Sequence, residues 1–99
     1  MDALSIALSG MQSAQTRMAA SAHDVANFAT EGFRPLRVVQ STLEGGGSVA
    51  RAVPAAAPEE VDLAGELVEQ MLAGHQFHAS LRVLGATSEM LGRVLDVFA

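Results

Sequence analysis

The sequence contains no cysteine, lysine, tryptophan or tyrosine. Without cysteine there is neither a disulfide framework nor a thiolate metal site. All six basic side chains are arginines, set against eleven acids for a net charge of −5. A nucleic-acid binder needs surplus cations to displace phosphate counterions, so that class is disfavoured. No run approaches the roughly 18 uninterrupted apolar residues of a membrane-spanning helix. Asp2 stands where a secretory leader would carry positive charge, and polar residues recur from Ser5 onward. The expectation is therefore that any export proceeds without a cleaved signal peptide. Apolar residues make up 49% of the chain, but only four side chains are aromatic and many are alanine. Such a composition suits long narrow seams better than a thick core, and 99 residues leave room for one domain.

Proline is also missing beyond Pro58. In that region Leu63, Leu67, Gln70, Gly74, Phe77, Leu81, Leu84, Ser88, Leu91, Leu95 and Phe98 recur at alternating steps of four and three. On an α-helix these positions form one stripe. Val68, Met71, Leu72, Val83, Met90, Val94 and Val97 form a second stripe beside it. A helix with two adjacent apolar stripes has more to hide than one partner can cover. Pro58, Glu59 and Glu60 suit a first helical turn, with Asp62 as an alternative cap. Glu89 and Arg93 are four apart in the favourable order. Such a helix reaches about 55–60 Å at 1.5 Å per residue.

The same beat opens the chain, through Leu4, Leu8, Met11, Gln15, Met18, Ala22, Val25 and Ala29. Asp2 to about Asn27 reads as an amphipathic helix some 40 Å long. Its many alanines keep its girth small, and Gly10 within it costs about 1 kcal/mol relative to alanine. Asn27, Thr30 and Gly32 are turn and C-cap types, and Arg34-Pro35 opposes continuation. Phe33 is placed to fold back on the last helical turn. Leu36 to Leu43 is β-prone, and Gly45, Gly46 and Gly47 make a joint. A hairpin of 38–43 against 49–53 fits the spacing, although one isolated hairpin is marginal.

The expected fold is accordingly all-α or nearly so. Residues 1–33 form a helix and turn, 34–58 a flexible connector with a possible small hairpin, and 59–99 a long helix. The two helices pair as a coiled-coil-like hairpin, and the uncovered second stripe predicts packing against further copies or relatives. A compact bundle of three or four helices, with the last helix broken at Gly74, is the alternative.

Candidates for chemistry are sparse. His75 and His78 can place two imidazoles on one side of a helix, but a metal site needs a third or fourth ligand. They read as surface or seam histidines, able to make assembly pH-sensitive. The three glycines lack the lysine of a phosphate loop. The run Glu59, Glu60, Asp62, Glu66, Glu69 reads as a helix start with a solvated face. Ser21, His23 and Asp24 are catalytic residue types, but neighbouring positions on a helix point apart. Met11, Met18, Met71 and Met90 read as packing residues. No cofactor is implied.

Two segments carry a more specific pattern. One runs from Ala7-Leu8-Ser9-Gly10-Met11 through Ser21-Ala22-His23-Asp24-Val25-Ala26-Asn27-Phe28-Ala29-Thr30-Glu31-Gly32-Phe33-Arg34. It resembles the N-terminal signature of bacterial flagellar rod and hook proteins. The other joins Val61-Asp62-Leu63-Ala64 and Glu66-Leu67-Val68 to Phe77, Ala79, Val83-Leu84 and Glu89-Met90-Leu91. It resembles that family's C-terminal signature. His23 and Asp24 depart from the usual pair of asparagines, Gly74-His75 from an alanine-glutamine pair, and Ser80 from an asparagine. The short connector makes the chain look most like a proximal-rod subunit.

The resemblance implies a structural, non-enzymatic subunit of the flagellar basal-body rod. It would leave the cell through the flagellar type III export apparatus and polymerise with copies of itself and other rod subunits. Its terminal helices would form the inner tube of a periplasm-spanning rod. The implied assembly interface comprises Leu4, Leu8, Met11, Met18 and Val25 on the first helix and Asn27, Gly32 and Phe33 in the turn. On the last helix it comprises Leu67, Phe77, Leu81, Leu84, Met90, Leu91, Val94, Leu95 and Phe98. The alternative is a small helical adaptor, or a junction or export-associated protein, that docks on one flagellar partner.

Overall fold

A computed structural model describes residues 2–98. Helix α1 (Ala3–Ala26) leads into strands β1 (Leu36–Thr42) and β2 (Ser48–Pro54), and helix α2 (Leu63–Phe98) follows. The particle measures 62 × 25 × 14 Å, its long dimension set by α2.

The ends of α1 are fixed by side chains. Asp2 caps its start by accepting the Ser5 N–H at 2.8 Å. At its end the Asn27 N–H bonds to Asp24 O at 3.1 Å, while Asn27 Nδ2 donates to His23 O at 2.9 Å. Gly32 then takes φ +73°, a left-handed conformation that other residues adopt only with strain. Phe33 folds back so that its ring lies 5.5 Å from that of His23.

The expectation of a nearly all-α hairpin is overturned here. The chain between the helices forms an antiparallel two-stranded sheet, with Val38 opposite Ala52 and Thr42 opposite Ser48. β-Branched residues favour the extended backbone, and Gly45, Gly46 and Gly47 supply the positive φ angles that reverse it. A lone hairpin is marginal, but this one lies along α1. The Ser48 N–H donates to Ser9 Oγ at 3.1 Å, Ser13 and Ser48 hydroxyls meet at 3.0 Å, and the Leu36 N–H donates to Asp24 Oδ1 at 2.7 Å. The architecture is helix–hairpin–helix with α1 in the middle: α2 packs on one side and both strands on another, and the strand backbones do not touch that of α2.

Helix α2 starts at Leu63, not at Pro58. Asp62 is the cap, its Oδ1 accepting the Gly65 N–H at 3.1 Å. The helix passes through Gly74 unbroken.

The seam between α1 and α2 takes in part of the expected α2 stripe, at Gln70, Gly74, Phe77 and Leu84, and otherwise runs one residue aside from the expected stripes. On α1 the buried residues are Ala7, Ser13, Ala14, Ala20, Ser21 and Asp24. On α2 only Ala73 is fully buried, flanked by half-buried Glu66, Gln70, Phe77, Ser80, Leu84 and Thr87. Both helices thus meet through their thinnest faces. Small side chains let the backbones approach, and Gln76 Nε2 reaches across to Gly10 O at 3.2 Å. Polar ties fill the remaining space. Arg17 Nε contacts Glu69 Oε1 at 2.7 Å, Arg17 Nη1 contacts Gln76 Oε1 at 2.6 Å, and Ser21 Oγ donates to Glu66 O at 3.0 Å.

Candidate assembly surface

Because small residues occupy the seam, the larger apolar side chains are left outside. Of the first-helix candidates, Leu8 and Met18 are exposed, while Leu4, Met11 and Val25 are half-buried. In the turn, Asn27 and Phe33 are half-buried and Gly32 is exposed. On α2, Leu67, Leu81, Leu91 and Val94 are exposed and Phe77 and Leu84 half-buried. Exposure is greatest at the end of α2: Met90 is 66% exposed, Leu95 62%, Val97 79% and Phe98 83%.

Two grooves bring candidates from both helices together. Leu4 lines a cleft of about 380 Å³ with Met90, Leu91 and Val94, which places the start of α1 against the last third of α2. Met18 and Phe77 share a smaller, more enclosed hollow of about 180 Å³ further along. The turn lies at the opposite end of the molecule. There Gly32 and Phe33 border a third hollow with Phe28 and the incoming Pro58, Glu59 and Glu60. The candidates therefore form two separate surfaces, not one continuous patch.

Large exposed apolar residues also lie beyond the expected set. Phe28 is exposed in the turn, and Val39, Val49 and Val53 are exposed on the hairpin. Their signal is the alternation in the two strands: Arg37, Val39, Val49, Arg51 and Val53 share the face turned away from α1.

Polar chemistry concentrates elsewhere, in a cleft of about 340 Å³ between β1 and the first turns of α2. Arg17, Ser21, Arg37, Asp62, Glu66 and Glu69 line it. The expected solvated acidic face is corrected at Glu66 and Glu69, which turn toward α1. Ser21 and Asp24, three apart on α1, share its buried face, whereas His23 points outward to Phe33. Asp24 is 0% exposed, and its Oδ2 has no hydrogen-bond donor. Burial raises the Glu66 carboxyl above its ordinary 4.5, and the neighbouring Asp24 and Glu69 push the same way, against a lowering contact with Ser21.

His75 and His78 are both exposed on α2. Among the described residues, no group of three or more histidine, aspartate or glutamate side chains is placed to hold a metal ion. No helix among them is long and apolar enough to cross a membrane.

No known family model matches the chain. No curated protein matches it either.

Proposed function

We propose that the chain is a structural subunit that assembles through the outer faces of its two helices, and that the assembly is the bacterial flagellar basal-body rod. The observation carrying the first half is the set of exposed apolar side chains Met90, Leu91, Val94, Leu95, Val97 and Phe98 at the end of α2. A contiguous apolar surface of this kind on a small protein marks a contact surface. The fold has little else to do with it, since its own core consists of small side chains. The second half rests on the resemblance of residues 7–34 and 61–91 to the two flagellar axial signatures. Under this reading the partners are copies of the chain, other rod subunits and, in transit, the flagellar type III export apparatus. The role is to transmit torque through packed helices, with no catalytic step.

The test is mixing the purified chain with isolated rod subunits and following mass by sedimentation. Concentration-dependent growth in mass is expected for the wild type, and its loss in a Val94→Asp, Phe98→Asp variant that retains its circular dichroism. Phe33→Ala probes the second surface in the same way. A folded monomer taking up one stoichiometric partner would replace the rod reading with that of an adaptor.

A further inference from the structure

The group with the least satisfied environment is Asp24. Its carboxylate is fully enclosed where α1, β1 and α2 meet. Oδ1 accepts the Leu36 N–H, and Oδ2 receives no donor. An enclosed anionic oxygen without a donor is among the costliest arrangements a fold can retain. The side-chain donors of the adjoining cleft make their hydrogen bonds elsewhere. The Ser21 hydroxyl has one proton, which it gives to Glu66 O. The Arg17 guanidinium is held by Glu69 and Gln76, and that of Arg37 by Glu59 at 2.6 Å.

One group remains. Glu66 lies beside Asp24: its carbonyl accepts from Ser21, three residues before Asp24 on the same buried face, and its side chain neighbours the Asp24 carboxyl. As a carboxylate it can only accept, and two acceptors would face each other in a confined space. As a carboxylic acid it supplies the missing donor. We infer that Glu66 and Asp24 share one proton, with Glu66 donating to Asp24 Oδ2, and that this carboxyl–carboxylate bond is a pH-sensitive latch between α2 and the α1–β1 junction.

The charged groups around the pair favour this state. From the cap and first turns of α2, Asp62 and Glu69 add negative charge along the same cleft. From α1 the cleft receives Arg17, with His23 turned outward to Phe33, and from β1 it receives Arg37, both arginines engaged as described. On β2, Arg51 lies on the sheet face turned away from α1. The connector adds Glu59, which is paired to Arg37. The Ser21 contact works against protonation of Glu66, but its single proton is already spent on the Glu66 carbonyl.

The sign of the pH dependence follows. The fold raises Glu66 above its ordinary 4.5, so the native state holds a proton that the unfolded chain releases. The stability from this bond is fully present below pH 4.5 and is lost as pH rises through the higher native value. Loss of the proton sets two carboxylates against each other and loosens the first turns of α2. Acidification closes the latch and alkalinisation opens it. The device does not depend on whether the chain assembles.

The test compares denaturant unfolding from pH 4 to 8 for the wild type and Glu66→Gln, in dilute monomer. The amide that this substitution introduces donates an N–H to Asp24 without titrating. The variant is expected to match the wild type near pH 4 and to exceed it increasingly as pH rises. Equal pH profiles for the two proteins, or a variant weaker than the wild type at pH 7, would overturn the latch. A direct reading on the wild type avoids reliance on any variant. The ¹³C resonance of the Glu66 carboxyl is expected to titrate with a midpoint above 4.5, and a midpoint at or below that value rejects the shared proton.

Discussion

Gly10 and Ser80 meet across the helix seam so closely that a side chain at position 10 would displace the Ser80 hydroxyl. A β-carbon there would stand 3.4 Å from Ser80 Cβ and overlap the Ser80 hydroxyl oxygen. Position 10 lies in mid-helix, where glycine is about 1 kcal/mol worse than alanine, so the close approach of α1 and α2 accounts for its presence.

Gly10→Val is therefore expected to cost about 1–3 kcal/mol through overpacking, measured by urea unfolding. Gly74 is the control on the other helix, since a β-carbon there meets nothing within 4 Å. Gly74→Ala should gain up to about 1 kcal/mol from propensity alone. Adding Ser80→Gly to Gly10→Val should recover part of the loss, giving a non-zero coupling in a double-mutant cycle. Equal effects of bulk at positions 10 and 74 would refute the tight seam.

Arg17 is the main polar tie between the helices. Its side chain is 19% exposed and holds both Glu69 and Gln76. Arg17→Met keeps the aliphatic stem and removes the charge-assisted bonds. Allowing for the partial exposure of Glu69, the expected loss is about 1–2 kcal/mol. Glu69→Gln should cost less, because its amide oxygen still accepts from Arg17. Chemical denaturation of both variants gives the comparison, and an Arg17→Met protein as stable as the wild type would contradict this role.

Asp2 caps α1, and the Ser5 N–H it accepts is the main cause holding its carboxyl below the ordinary 3.8. A depressed value means that the cap is fully present above 3.8 and is lost as pH falls through the lower native value. The Ser5 amide resonance should report this with a midpoint below 3.8. Asp2→Asn should keep the first turn and abolish the titration, whereas Asp2→Ala should fray it. A midpoint at or above 3.8 would show that the cap does not form in solution.

Much of the framework is legible in the sequence. Periodicity places both helices, Asp62 stands out as a possible cap, and the Asn27–Phe33 turn is marked by residue type. The seam is legible only in part, at Gln70, Phe77 and Leu84, for a physical reason. Hydropathy patterns rank positions by transfer free energy, so they favour Leu4, Leu8, Leu67 and Leu81 over Ala7, Ala14, Ala73 and Ser80. Here the closest contact goes to the faces that permit it, and volume outranks apolarity. The sheet is underestimated from sequence because its support comes from α1, through Ser9, Ser13 and Asp24, far from the strands along the chain. The same distance hides the pairing of Asp24 with Glu66. Neither residue has a local pattern, and only the crossing of three elements brings them together.

The central position of α1 has a consequence for how the molecule opens. Gripped on two flanks, its backbone amides near Ala14 and Ser21 can reach water only when the whole structure comes apart. Those of α2 beyond Leu91 lean on a single neighbour or none, and open by fraying alone. Deuterium should therefore enter from the tip of α2 toward the Asp24 junction, so that the stretch most available for contact is also the one whose backbone is least protected.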